Sequence, residues 1–299
     1  MCEFDIIKTK NAKNAYNEGR KKMQKYEVKD HEPSYLPDGK KWKLVWSDEF
    51  DGTELDMTKW DYRLAMMGKR HITWDDEGVK LDGNSNAVFS IYEKDGKICS
   101  SQLETGHNYM DGPVGDGYTF DGGLKWPIGK LRPHKFLKKY GYFECRCKLQ
   151  QKRGWWSAFW LQSPVIGCSL DAGVAGIEND ILESFEPAKA IFHSNHVHGY
   201  GDDHIQIKAG VGREFDEKEA QEFHTYAVHW SPEGYTYYID GVEDGHIDGP
   251  ISHTPQFIML STEVNGYRSA EHAPTEEAIQ TAKEGDVFLV DYVRVFDEE

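Results

Sequence analysis

Short runs of β-branched and aromatic residues recur from Trp42 almost to the end of this 299-residue chain, and this pattern restricts the fold most strongly. Gly, Asp and Asn separate the runs, as between neighbouring strands. Examples are K-L-V-W, A-V-F-S-I-Y, Y-G-Y-F-E-C-R-C-K-L, T-Y-A-V-H-W, F-I-M-L-S and V-F-L-V-D-Y-V-R-V-F. Because few helical patterns interrupt them, the runs predict an all-β antiparallel fold, either a two-sheet sandwich, a jelly roll or a barrel.

Local signals divide the chain into an extension and one domain. Residues 1–41 are polar, and the stretch K-T-K-N-A-K-N-A-Y-N-E-G-R-K-K-M-Q-K-Y, which ends at Tyr26, is basic and helix-permissive. This predicts an N-terminal extension that begins with a helix. Residues 42–299 begin and end with strand-like runs, so we expect a single domain. Within it, Asp240-Gly241 is a two-residue hairpin signal. Short helices are predicted at residues 216–223 and 276–283, in connections between strands.

Charge limits the partners of this protein. The formal net charge is −16, from 51 acidic against 35 basic side chains. Nucleic acids and anionic membrane surfaces are therefore excluded as expected partners. No apolar run approaches the roughly 18 residues of a membrane span. We expect a monomer that either stays inside the cell or has lost a leader peptide.

The five cysteines do not form a dense disulfide framework. Cys145 and Cys147 lie in F-E-C-R-C-K-L, where alternation puts them on one strand face with Phe143 and Leu149. Buried free thiols are therefore favoured over a disulfide or a metal-binding pair.

The stretch G-I-E-N-D-I-L-E-S-F contains three carboxylates in six positions of a predicted strand. Glu178 and Asp180 share a face because strand side chains alternate. Strict alternation would place Glu183 on the opposite face. One extra residue, a β-bulge near Leu182, would return it to their side.

Two carboxylates that face one groove match the requirements of glycosidic bond cleavage, in which one protonates the leaving oxygen and the other attacks the sugar or activates water. Their repulsion raises one pKa and leaves the other low. A solvated acidic face and a site for a metal that prefers oxygen ligands are the alternatives. Trp156 and Trp160, on one strand face of W-W-S-A-F-W-L, favour the sugar-cleaving interpretation because indole rings stack on sugars.

Taken together, these residues resemble glycoside hydrolase family 16, which includes bacterial laminarinases and lichenases. Glu178 to Glu183 matches the family signature Glu-x-Asp-x-x-Glu. Further blocks follow in the family's order between residues 45 and 296. They are W-S-D-E-F-D-G-T-E-L-D, Y-G-Y-F-E-C-R-C-K-L, W-S-A-F-W-L, H-V-H, F-H-T-Y-A-V-H-W, Y-Y-I-D-G and V-D-Y-V-R-V.

The resemblance implies a curved, concanavalin A-like jelly roll and an endo-acting enzyme that retains anomeric configuration through a covalent glycosyl-enzyme. By position, Glu178 resembles the family's nucleophile, Asp180 its assisting aspartate and Glu183 its acid/base. No cofactor is implied for catalysis.

The resemblance also implies residues outside the acidic motif. Trp156 and Trp160 match the sugar platform, and His198 matches a histidine near the catalytic face. The family often carries a structural calcium ion, and Glu49 and Asp291 are the positions at which we expect it.

The sequence departs from the family pattern in three places. Asn179 occupies a usually apolar position, so its buried amide needs a partner. Ser157 replaces the usual proline after the first tryptophan of the platform. The segment from Met66 to Asp82 differs from the laminarinase version and is expected to line the cleft.

Two rival functions stay open. His196 and His198 could ligate zinc or iron with Asp202, although this leaves the acidic motif unexplained; a structural role is favoured for His193 and His196. A lectin-like module with the same sandwich would bind sugar without hydrolysis. For the enzyme we expect a neutral β-1,3- or β-1,3-1,4-glucan as substrate. An agarose, porphyran or carrageenan type of polysaccharide is the alternative within the family.

Overall fold

A computed structural model describes residues 23–111, 132–185, 190–210, 212–267 and 273–299. They fold as an antiparallel sandwich of two eight-stranded sheets, which confirms the predicted fold class. In chain order the strands are β1 (Met23–Tyr26), β2 (Ser34–Pro37), β3 (Trp42–Asp48), β4 (Asp61–Tyr62), β5 (Ala65–Met66), β6 (Lys69–Arg70), β7 (Val79–Leu81), β8 (Ala87–Ser90), β9 (Tyr92–Lys94), β10 (Lys97–Cys99), β11 (Gln102–Glu104), β12 (Gly141–Lys148), β13 (Trp155–Gln162), β14 (Glu178–Ser184), β15 (Ala190–Val197), β16 (Ile205–Lys208), β17 (Arg213–Glu214), β18 (His224–Ser231), β19 (Gly234–Ile239), β20 (Val242–Ile247), β21 (Phe257–Val264) and β22 (Val287–Glu298).

One sheet, which we call the cleft sheet, has the strand order β16-β15-β14-β13-β21-β11-β4, with β17 also paired to β15. The other, the outer sheet, has the order β20-β19-β18-β12-β22-β8-β7, with β3 also paired to β22. Three two-stranded hairpins, β1-β2, β5-β6 and β9-β10, lie outside the two sheets. The strands with the acidic motif and the tryptophans, β14 and β13, are therefore neighbours at the centre of the cleft sheet.

The core lies between the sheets because each strand turns alternate side chains inward. Trp155 and Phe159 of β13 are fully buried there, in one cluster with Phe143 and Cys145 of β12. Cys145 and its neighbour Cys147 are buried free thiols, as predicted. The same alternation sends the even-numbered side chains of β13 out of the core, towards the cleft.

Turns and helices connect the strands mostly as predicted. Asp240 and Gly241 both have positive φ, 50° and 75°, as the two-residue turn between β19 and β20 requires. Helix α1 spans Ala172–Ala175 and helix α2 spans Glu276–Glu284, close to the predicted second helix. The first predicted helix is reduced to a 3₁₀ turn at Glu219–Gln221. In the described ranges, no helix has the length and apolar character needed to cross a membrane.

Residues 23–37, within the predicted N-terminal extension, contain a β-hairpin. The predicted helix falls mainly on residues 1–22, outside the described residues, but its last part was wrong, because Met23–Tyr26 pairs with Ser34–Pro37 instead. The hairpin packs on the outward face of the outer sheet, where the rings of Tyr26 and Phe296 lie 5.0 Å apart. It thereby buries side chains of the outer sheet that alternation directs away from the core.

Candidate active site

A β-bulge in β14 brings the three acids to one face. In the pairing with β13, Asp180 lies opposite Trp160 and Glu183 lies opposite Ala158, so one residue of β14 is extra between them. The pairing with β15 shifts at the same place. Ile181 and Leu182 are both fully buried in the core. The bulge predicted near Leu182 is therefore present, and Glu183 lies on the same side as Glu178.

The acids line a cleft of about 520 Å³. Its walls include the even-numbered residues of β13 and residues from β15 and β21. The hairpin β5-β6 lies at its edge with Met66 and Met67, as expected for the segment that departs from the family pattern. The residues that line the cleft are Arg63, Met66, Met67, Asn108, Met110, Asp111, Trp156, Ala158, Trp160, Gln162, Glu178, Asp180, Glu183, Phe185, His196, Tyr200, His204, Ser261 and Glu263.

Glu178 lies in a largely desolvated position with two donors on one oxygen. Its Oε2 accepts hydrogen bonds from the Tyr200 hydroxyl and, at 3.2 Å, from Gln162 Nε2. Burial, followed by the nearby charge of Asp180, raises the pKa of Glu178 to about 7. His196 and the Tyr200 hydroxyl act in the opposite direction, because both favour the charged carboxylate.

Asp180 is 4% exposed and is held by two side chains of β15. Its Oδ2 accepts a hydrogen bond from Ser194 Oγ at 2.8 Å and lies 3.2 Å from His196 Nε2. The other ring nitrogen of His196, Nδ1, lies 2.7 Å from His204 Nε2. Asp180 is therefore fixed in orientation between the two glutamates of the motif.

Both predicted platform tryptophans line the cleft. Trp160 donates from Nε1 to Ser261 Oγ at 3.0 Å, and this bond fixes the plane of its indole ring. Trp156 lies between Phe185 and Tyr267, with ring centroids 5.6 Å from each. These rings provide an aromatic wall on the Glu183 side of the cleft, which suits the apolar faces of sugar rings.

A buried arginine at the cleft was not predicted from the sequence. Arg63 follows β4, and its guanidinium lies 5.6 Å from the ring centre of Trp160. Asp111 accepts from its Nε at 2.9 Å and lies 2.7 Å from its Nη2. Arg63 also contacts Gln102, whose amide donates to Glu263 at 3.2 Å. Its positive charge is thus largely neutralised by Asp111.

The histidine predicted for the cleft, His198, does not line it. β15 ends at Val197, and His198 adopts a left-handed backbone conformation with φ of 67°, so the strand alternation stops there. His196, for which a structural role was favoured, lines the cleft instead and contacts Asp180 there. His193 is buried, with Nε2 3.3 Å from Asp244, and is structural as expected. Asp202, the third residue of the rival metal site, is exposed.

The expected calcium positions do not fit a calcium site. Both oxygens of Glu49 accept from Arg294, at 3.0 and 2.7 Å, and Asp291 Oδ2 lies 2.5 Å from Arg146 Nη1. Each carboxylate is therefore paired with a different guanidinium, which leaves no shared set of oxygen ligands.

Among the described residues of the cleft, Glu178, Asp180 and His196 each offer one atom that could bind a metal, and these three atoms lie within 4.8 Å of one another. These groups already bond to protein partners, so we assign no ion there.

Two further cleft residues were missed by sequence reasoning. Gln162 could have been found, because it continues the alternation of Trp156 and Trp160 and pairs directly with Glu178. Tyr200 could not, because it lies in the loop between β15 and β16, where no periodic pattern fixes the direction of a side chain.

Comparisons with known proteins agree with this geometry. A family model described as "Beta-porphyranase A-D, GH16 domain" matches residues 42–297. The chain is 28% identical over 310 residues to β-porphyranase C of Zobellia galactanivorans, covering 90% of this chain and 81% of that protein. It is 25% identical over 276 residues to glucan endo-1,3-β-glucosidase A1 of Niallia circulans, covering 86% of this chain but only 38% of that longer protein.

A solved structure supports the fold. The catalytic domain of an endo-1,3-β-glucanase (laminarinase) from Thermotoga petrophila superposes with a TM-score of 0.60 at 20% identity, covering 87% of this chain and 99% of that domain. At this identity the likeness supports the sandwich architecture.

Proposed function

Because the chain belongs to glycoside hydrolase family 16, in the group described as β-porphyranase A-D, we propose that it hydrolyses β-linkages within a polysaccharide and retains anomeric configuration. One observation carries the proposal: a single extra residue in β14 brings Glu178 and Glu183 to the same cleft. Two carboxyl groups on either side of one glycosidic bond are what this reaction needs.

In the first step, Glu183 donates its proton to the glycosidic oxygen while Glu178 attacks the anomeric carbon. The bond between sugar and leaving group breaks, and a glycosyl ester forms on Glu178. In the second step, Glu183 takes a proton from water, and the resulting hydroxide displaces Glu178 from the sugar. Two displacements at the same carbon restore the original configuration.

Asp180 assists as a fixed neighbour of both glutamates. Its negative charge contributes to the raised pKa of Glu178, so it disfavours a second charge on the free enzyme. As positive charge develops on the sugar in the transition state, the same two carboxylates stabilise it. The bonds from Ser194 and His196 keep Asp180 in place during this change.

The charges that line the cleft favour a substrate whose main chain is uncharged. Arg63 is the sole arginine or lysine among the described residues that line the cleft, and Asp111 already pairs with it. Asp111, Glu178, Asp180, Glu183 and Glu263 contribute carboxylates to the same walls. A sulfate group next to these walls would be repelled, so we propose a neutral β-1,3- or β-1,3-1,4-glucan as the substrate.

A porphyran-type galactan is the second candidate. The match of the family model over residues 42–297 and the likeness to β-porphyranase C over 90% of the chain favour it. Chromatography of the products from neutral β-glucans, agarose, porphyran and carrageenan would distinguish the two candidates. Release from porphyran alone would overturn the glucan proposal.

The proposed chemistry is tested by reducing-sugar release with Glu178→Gln as the control. Wild-type protein should release new reducing ends, and the variant should not. Sugar binding without release by wild-type protein would support the lectin-like rival. Release that survives Glu178→Gln but is lost with a chelator would support metal-dependent cleavage.

A further inference from the structure

We infer that Tyr200 is a positioning residue for Glu178: its hydroxyl holds Oε2 of the carboxylate so that Oε1 is the oxygen presented to the sugar. This inference rests on the proposed function of Glu178 as the nucleophile. It assigns a role to a residue outside the acidic motif and outside the tryptophan platform.

The direction of the hydrogen bonds follows from the chemistry of three contacting groups. Tyr200 donates to Glu178 Oε2, and Gln162 Nε2 contacts both the Tyr200 hydroxyl and the same Oε2. The amide nitrogen of Gln162 must face these oxygens, because its carbonyl oxygen would repel the carboxylate. Since Gln162 donates to the Tyr200 oxygen, the phenol proton is directed at Glu178. Both donors act on one oxygen and leave the other for the reaction.

The backbone holds Tyr200 in place although 41% of the residue is exposed. Its neighbour Gly199 packs so closely on Gly167 that an added Cβ would lie 2.9 Å from the Gly167 Cα atom. Gly199 also has φ of 75°, a conformation that favours glycine. The loop that carries Tyr200 is therefore seated against the segment that follows β13.

Tyr200 is a donor whose protonation stays constant during turnover. Desolvation of the hydroxyl, followed by the charge of Glu178, raises the pKa of Tyr200 well above its ordinary value, so the phenol keeps its proton. The other charged or titratable groups that line the cleft lie on β14, β15 and β21, in the loop after β15, and in the segments after β4 and β11. They are Asp180, Glu183, His196, Glu263, His204, Arg63 and Asp111.

Loss of the Tyr200 hydroxyl should change the chemical step more than substrate binding. For Tyr200→Phe we expect kcat on the polysaccharide to fall by about 10- to 100-fold, the value of one hydrogen bond to a charged group, with KM changed by less than about threefold. Since the hydroxyl lowers the pKa of Glu178, the acid limb of the kcat/KM profile should move to higher pH. A residue that only supports the fold would not move this limb.

An aryl oligosaccharide with an activated leaving group separates an effect on Glu178 from one on Glu183. Such a leaving group departs without protonation, so a Glu183→Gln variant should recover formation of the glycosyl-enzyme, whereas Tyr200→Phe should stay slow. Tyr140→Phe is the matched control, since it removes a phenol that contacts His253 at 2.6 Å, outside the cleft.

Unchanged Tm for Tyr200→Phe, with the expected loss of kcat, would support the inference. Gln162→Met, which removes the second donor to Glu178 Oε2, gives an independent variant with the same expected direction. A Tyr200→Phe enzyme with wild-type kcat, or one whose rate is fully restored by the activated leaving group, would overturn this inference but not the proposed function. A wild-type protein that cleaves no glycan would overturn the proposed function together with it.

Discussion

The outward faces of the two sheets both bury carboxylates, but they surround these groups differently. On the outer sheet, Glu49 is bound through both oxygens by Arg294, which also donates to Glu32 O at 2.8 Å and Ser34 Oγ at 3.0 Å in the N-terminal segment. On the cleft sheet, Glu178 and Asp180 lie next to each other, and the nearby Arg63 is bound to Asp111 instead.

At these two sites, the difference distinguishes a carboxylate in a structural ion pair from two crowded carboxylates in the cleft. A carboxylate with a guanidinium on both oxygens has its hydrogen-bonding groups satisfied. Buried carboxylates that lack such a cation compete for protons, and one of them then titrates near neutral pH. The sequence contains carboxylates in both kinds of surroundings, so the surroundings rather than the residue type set their roles.

The largest expected effect comes from the crowded acids. Glu178→Gln should lower polysaccharide cleavage by about 10⁴-fold or more, because the covalent intermediate can no longer form. We expect a folded protein in circular dichroism. An active Glu178→Gln enzyme with unchanged products would break the distinction between the two faces.

Loss of the ion pair between Glu49 and Arg294 should lower the stability of the protein rather than its activity. Arg294→Met leaves Glu49 buried without its partner and should lower the free energy of unfolding by about 3 to 5 kcal/mol. Activity per folded molecule should stay the same, because Arg294 lies on the sheet remote from the cleft. Urea denaturation measures the loss, with Lys29→Met as a surface control expected to cost less than about 1 kcal/mol. A loss equal to that of the control would mean that the pair is not structural.

A smaller effect is expected on the pH dependence of the free energy of unfolding, to which Glu178 contributes. Because the pKa of Glu178 is raised to about 7 on folding, the folded protein binds more protons than the unfolded chain between about 4.5 and 7. Its contribution to stability is therefore present at low pH and is lost as pH rises through 7. Glu178→Gln should lack this loss and gain at most about 3 kcal/mol over wild type by pH 8. The measurement is denaturation at several pH values, and a gain that is constant with pH would contradict the account.

The smallest effect concerns calcium. Since Glu49 and Asp291 are already paired with arginines, adding calcium after treatment with a chelator should leave Tm unchanged. Differential scanning calorimetry would detect an ion that we do not expect. A clear rise in Tm would restore the calcium expectation for the outer face.

Strand periodicity made much of the fold and the acidic motif predictable. Alternation alone required a bulge to bring Glu183 to the side of Glu178, and it directed Asn179 into the core. There Asn179 Nδ2 donates to Asn195 Oδ1 at 2.6 Å and to the Tyr237 hydroxyl at 2.7 Å, so its amide nitrogen is paired.

Prediction failed where the strands end or where distant segments meet. His198 lies just past the end of β15, so alternation no longer applied to it. Arg63 and Tyr200 reach the cleft from segments whose direction no periodic pattern fixes. The pairing of Glu49 with Arg294 joins positions 245 residues apart, and single-sequence reasoning has no signal for such a contact.

The proposed division of labour between Glu178 and Glu183 is tested most directly by azide rescue of two variants on an aryl oligosaccharide. In Glu178→Gly, azide should replace the missing nucleophile in a single displacement and give the α-glycosyl azide. In Glu183→Gly, azide should react with the glycosyl-enzyme on Glu178 and give the β-glycosyl azide. NMR of the products identifies the anomers; the same anomer from both variants, or the reverse assignment, would contradict the account.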